Sequence, residues 1–99
     1  MIRHIPALFF LLAAAASAQA GDPFAGAEIY TQHCLRCHGA DGGGNNLDVI
    51  GFRQSNAMLQ PDTVLIDTTS YGSGLMPAYR GMLDEQQIED VVSYVRTLF

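Results

Sequence analysis

Cys34-Leu35-Arg36-Cys37-His38 is the stretch from which the rest of the chain is read. Its pattern, C-x-x-C-H, is the attachment signature for a c-type haem. Two thiols three positions apart fall on one side of a helical turn, so both can reach the vinyl groups of one porphyrin. The adjoining His38 can then place an imidazole nitrogen on the iron. One short run thus fixes the cofactor covalently and supplies its proximal ligand.

Other uses of a cysteine pair fit less well. A structural zinc site takes four Cys or His ligands, often as two pairs. This chain has two cysteines, both in the motif, and its other histidines are His33 and His4. A thioredoxin-like pair needs βαβ patterning around it, and none is visible. A plain Cys34–Cys37 disulfide would leave His38 without a role.

The chain has 99 residues, room for one domain. It has no lysine; its five basic residues are arginines, set against ten acids for a formal charge of −5. That balance argues against nucleic-acid binding, which calls for a basic patch. A core this small is marginal by itself, and a buried haem would give short helices a large apolar body to pack around.

Residues 1–20 read as a cleaved secretory signal. Arg3 and His4 precede an apolar run from Ile5 to Ala16, and Ala18-Gln19-Ala20 is an A-x-A cleavage site. The run is shorter than the ~20 apolar residues a membrane span needs. No cysteine stands at the junction to take a lipid. Cleavage after Ala20 would leave a single domain, residues 21–99, with no membrane span and a charge of −6 once Arg3 is lost. Export suits the chemistry, since bacterial c-type haem is attached outside the cytoplasm; the expected address is the periplasm.

Outward from the motif, Asp22 as N-cap and Pro23 as first residue predict a helix to about Leu35. Gly26 and Tyr30 share one face of it. A mid-helix glycine costs ~1 kcal/mol against alanine, and close approach of another helix is the usual compensation. His33 is expected at the surface. Gly39-Ala40-Asp41-Gly42-Gly43-Gly44-Asn45-Asn46 is loop composition; without a following G-K-[ST] it is no phosphate loop. Leu47, Val49, Ile50 and Phe52 are candidates for the pocket wall. Arg53 is a candidate partner for a haem propionate, and Ser55 for capping a short turn through Met58.

Pro61 opens a predicted helix of about ten residues, stopped by Gly72-Ser73-Gly74. Leu75-Met76-Pro77 follows. A thioether is a soft ligand that suits haem iron and raises its reduction potential when paired with histidine. Pro77 biases Met76 towards extended backbone, from which a loop can present the sulfur. Met58 and Met82 compete for that role. The last helix begins at a capping box of Asp84 and Gln87. It carries Ile88, Val91, Val92, Val95 and Leu98 on one face, and is predicted to cross the first helix at Gly26 and Tyr30.

Taken together, these features resemble a class I c-type cytochrome, a small bacterial monohaem cytochrome c. The resemblance rests on Gly26 and Tyr30, on Cys34-Leu35-Arg36-Cys37-His38-Gly39, on Gly74-Leu75-Met76-Pro77, and on Val91-Val92-Ser93-Tyr94-Val95. It implies an all-α fold of about three main helices wrapped around one haem c. It also implies covalent bonds to Cys34 and Cys37, and His38 and Met76 as axial iron ligands. Two departures stand out. No proline lies between Gly39 and Gln60 to offer its carbonyl to the proximal imidazole, so a carbonyl near Asn46 or Leu47 is expected to serve. The lysine ring that some cytochromes dock with is absent, which argues against an acidic patch on the partner.

The function so implied is one-electron transfer in the periplasm, without substrate chemistry. Its partners would be a redox protein donor and acceptor, such as a periplasmic dehydrogenase and a terminal oxidase. Two alternatives stand beside it. One is a haem relay subunit of a periplasmic dehydrogenase. The other is a five-coordinate haem enzyme or sensor, for which the sequence offers no distal base.

Overall fold

The computed structural model describes residues 20–45 and 48–99. Apart from Ala20, the expected signal lies outside the described residues, as do Asn46 and Leu47. Four helices follow in order: α1, Pro23–His33; α2, Leu35–His38; α3, Asp62–Tyr71; and α4, Glu85–Thr97. A single 3-10 turn, Ala57–Leu59, precedes α3. Among the described residues there is no strand, only isolated bridges such as Gly44 with Ile50 and Ser73 with Met76. The all-α expectation of three main helices holds, with α2 as one extra turn.

Each main helix starts where its sequence says it should. The Asp22 carboxylate accepts from the amides of Phe24 at 2.9 Å and Ala25 at 3.4 Å, and Pro23 occupies the first turn, where its missing N–H costs nothing. Asp84 and Gln87 form the full reciprocal capping box at the head of α4. α3 has no side-chain cap; Pro61 leads into it and Gly72, at φ 76°, ends it. The first helix is shorter than predicted. It stops at His33, and the Cys34 carbonyl starts the next turn by accepting from Cys37 at 3.2 Å and His38 at 2.9 Å.

α1 and α4 cross closely, and the crossing falls at the predicted pair. A Cβ on Gly26 would lie 2.9 Å from Tyr94 Cβ and would collide outright with the Asp90 carbonyl. Tyr30, almost wholly buried, sets its ring 5.2 Å from that of Tyr94 at 59°. Ile88, Val91 and Val92 are buried on the α4 face, with Val95 and Leu98 packed partly against the same cluster. One buried residue breaks the apolar pattern. Asp90 is 6% exposed, and its Oδ1 accepts from the Asp22 amide at 2.8 Å and from Gln86 Nε2 at 2.9 Å. Asp90 therefore fastens the start of α1 to α4, and both hydrogen bonds offset the cost of burying its charge.

The far wall is clamped by Arg96. Its Nε meets Asp62 Oδ1 at 2.9 Å, its Nη1 donates to the Met58 carbonyl at 2.9 Å, and its Nη2 donates to the Gln60 carbonyl. One side chain near the end of α4 thus sets the position of the 3-10 turn and of the first turn of α3.

The crossing makes the sign of one substitution diagnostic. In an unpacked helix Gly→Ala stabilises by ~1 kcal/mol, whereas forcing atoms into a packed contact costs about 1–3 kcal/mol. Gly26→Ala is expected to lower the unfolding free energy of the haem-loaded protein by about 1–2 kcal/mol in denaturant titration, and a stabilised variant would show that the helices do not meet there.

Candidate functional site

The break after His33 sets the two cysteines on different local structure. Cys34 sits half-buried at the break, and Cys37 lies exposed on α2; both thiols are free. Burial, with the neighbouring Cys37 adding to it, pushes the Cys34 thiol up to about 11. His38 closes α2 half-buried, and its burial holds the imidazole below its usual titration range. It is therefore neutral at pH 7, the form that ligates metals. The ring lies parallel to Phe52, 4.7 Å away at 13°. Its Nδ1 is buried and has no hydrogen-bond partner among the described residues. The carbonyls of Asn46 and Leu47, expected to accept from it, lie outside them.

Behind this segment Tyr30 closes the α1 side. Its hydroxyl donates to the Gly39 carbonyl, directly after His38. Burial chiefly, with Cys34, Tyr94 and Asp41 adding to it, pushes the phenol up to about 12, so it remains a donor at physiological pH.

Met76 sits on a tight turn between α3 and α4. The Ser73 amide donates to the Met76 carbonyl at 3.1 Å and the Met76 amide returns to the Ser73 carbonyl at 2.9 Å. Gly72 makes the turn possible: at its positive φ any Cβ would press against the Met76 carbonyl at 2.6 Å. Beyond Pro77 the chain runs back along α3, with Tyr79 and Arg80 amides donating to the Thr69 and Ser70 carbonyls at 3.0 and 3.1 Å.

Between these walls lie two cavities of about 380 and 410 Å³. Cys34, His38, Ile50 and Met76 border both, so histidine and methionine face a shared space. Phe52, Met58, Val64, Leu65 and Val92 line the first. Val49 and Pro77 are among those lining the second. Thr68 and Thr69 also border the first cavity, but their hydroxyls donate back to the Val64 and Leu65 carbonyls at 2.9 and 2.8 Å. That leaves no hydroxyl proton unpaired in an apolar space.

Most predicted site residues meet here: Cys34, Cys37, His38, Met76, Val49, Ile50 and Phe52 all line one cavity or the other. Of the competing methionines, Met58 lines only the first, and Met82 stands out in solvent. One expectation needs correction, that His33 stands at the surface. His33 is half-buried, edge-on to the Tyr79 ring at 5.8 Å, and lines the second cavity. Arg53 lines neither cavity; its guanidinium lies over the Phe99 ring at 5.0 Å. Nothing in the sequence marks Asp90, Arg96 and Tyr79, because each has a backbone partner far off in sequence, the Asp22 amide and the Met58 and His33 carbonyls, that leaves no local pattern.

The donor set fits a covalently held haem: two free thiols one helical turn apart, a neutral imidazole, a thioether facing the same space, and apolar walls. Among the described residues no three His, Cys, Asp or Glu side chains gather to hold a bare metal ion. Fold and site together define a small class I c-type cytochrome. Residues 21–95 match the family model described as "Cytochrome C oxidase, cbb3-type, subunit III", and the chain belongs to that family. It is 34% identical over 92 residues to cytochrome c6 of a Nostoc species, covering 87% of this chain and 79% of that protein. It is 36% identical over 88 residues to the cbb3-type cytochrome c oxidase subunit FixP of a Bradyrhizobium species, covering 81% of this chain but 29% of that one. The solved cytochrome c6 of the diatom Phaeodactylum tricornutum superposes with a TM-score of 0.65 at 29% identity, over 78% of this chain and 93% of its own. The protein is thus a monohaem electron carrier with one covalently bound haem c, and not an enzyme.

The cavity makes the cofactor structural as well. α3 buries none of its own residues, so its apolar face has the cavity to pack into. A Cys34→Ala/Cys37→Ala double variant, which cannot attach haem, is expected to lose α3 and its cooperative thermal transition in circular dichroism. A sharp transition with full helix content would contradict this.

Proposed function

We propose that the protein is an exported, periplasmic one-electron carrier whose haem is bonded to Cys34 and Cys37 and held between His38 and Met76. The observation that carries this reading is that His38 and Met76 border the same two cavities beside Cys34. When bound, haem c supplies an iron that cycles between two oxidation states. The chain's part is to hold that iron unchanged in both. The His38 imidazole, stacked on Phe52, and the Met76 thioether, on a hydrogen-bonded turn, would hold the iron from two sides and leave no position for a substrate. Apolar walls from Phe52, Val64, Leu65 and Val92 would shield a haem seated there from part of the solvent that must reorganise when the charge changes.

The signal reading of residues 1–20 supports export, with residues 21–99 as the mature domain. No helix among the described residues is long and apolar enough to cross a membrane. Redox proteins on either side, such as a periplasmic dehydrogenase and a terminal oxidase, are the partners this role requires. A second reading is a haem relay within a larger oxidoreductase, favoured by the family description and the FixP similarity. Gel filtration of a native extract separates the two: a free carrier runs at its own small size and a relay subunit runs with its complex.

Met76→Ala tests the ligand set. The variant is expected to bind carbon monoxide and to show a reduction potential lower by on the order of 0.1–0.2 V, within the roughly 0.8 V that axial ligands span. A variant with unaltered spectrum and potential would remove Met76 from the iron.

A further inference from the structure

We propose that the Tyr79 hydroxyl is a latch that holds the Met76 turn against the haem-attachment segment, making Tyr79 a positioning residue for the thioether. The inference rests on the reading of Met76 as an axial ligand.

Among the described residues, the hydrogen bonds of the loop from Gly72 to Tyr79 run almost entirely one way. Gly72 donates to Thr68 and the Tyr79 amide to Thr69, both in α3, while Ser73 and Met76 pair with each other. The loop therefore hangs from α3 like a flap. One bond reaches the other wall: the Tyr79 hydroxyl donates to the His33 carbonyl at 2.9 Å, across 46 positions of sequence. Tyr79 is buried at 8% exposure, with the His33 ring edge-on against it at 5.8 Å, so the bond is partly shielded from water.

The acceptor is available because of the helix break. In a continuous helix the His33 carbonyl would take the Cys37 amide. That amide bonds to the Cys34 carbonyl instead, leaving the last carbonyl of α1 for the phenol. The break that separates the two cysteines also creates the catch for the loop carrying the sulfur. Burial raises the Tyr79 phenol above its ordinary titration range, with the Cys34 and Cys37 thiols adding to it. Once those thiols are thioethers, burial alone keeps the donor protonated.

The test uses haem-loaded protein and imidazole as an incoming ligand. The far-red absorption of a thioether–ferric iron bond reports Met76, and stopped-flow mixing reports the rate at which imidazole displaces it. Tyr79→Phe keeps the ring and removes only the donor. It is expected to speed displacement about five- to tenfold, the worth of one net hydrogen bond. The displacement rate is the discriminating readout, since a merely structural role would lower the thermal midpoint and leave the rate unchanged. Tyr71→Phe, an exposed tyrosine bonded to Arg80, should match the parent. An unchanged displacement rate in Tyr79→Phe, with the far-red band intact, would overturn the latch and leave the ligand reading standing. A parent protein without that band would overturn the ligand reading itself, and the latch with it.

Discussion

Tyr30 from α1, Val64 and Leu65 from α3, and Val91, Val92 and Val95 from α4 all border one cavity. The fold depends on what fills that space. A polypeptide of this length gains little from its own buried surface, and among the described residues the most extensive contact between helices is the crossing of α1 and α4. The rest of the chain is arranged as walls. A flat apolar cofactor bonded to one wall would turn them into a core, which ties the packing of α3 to cofactor attachment.

Around that space several polar groups are paired within the protein. Asp90 faces the start of α1, Arg96 grips the carbonyls of Met58 and Gln60, and the hydroxyls of Thr68 and Thr69 turn back on their own helix. Each of these groups would be costly if left unpaired against a porphyrin. Paired, they fix the positions of the walls. Electron transfer needs that rigidity, because an iron whose ligands shift between oxidation states must wait for them to move.

Much of this was legible from single residues. The C-x-x-C-H run defines the cofactor, the Asp22 and Asp84 caps define where α1 and α4 begin, and a glycine four residues before a tyrosine marks the crossing. Leu75-Met76-Pro77 reads as a turn offering a thioether, and the structure places Met76 on a turn that borders both cavities. What stayed hidden was long-range and backbone-directed. The break at Cys34 leaves no proline or glycine as a marker. An arginine late in α4 reads only as favourable to the helix dipole, yet Arg96 holds a turn nearly forty positions away. Any donor at position 79 could reach a carbonyl, so nothing in the local pattern marks Tyr79. His33 reads as a surface residue because it adjoins Cys34 and so points away from the face His38 addresses, yet it packs edge-on against Tyr79 and lines the second cavity.

The central claim is a covalent one, and intact mass spectrometry of the exported protein tests it most directly. The account predicts the mass of residues 21–99 plus one haem, with the added mass traced by peptide digestion to Cys34–His38. A bare polypeptide mass with both thiols free would contradict it.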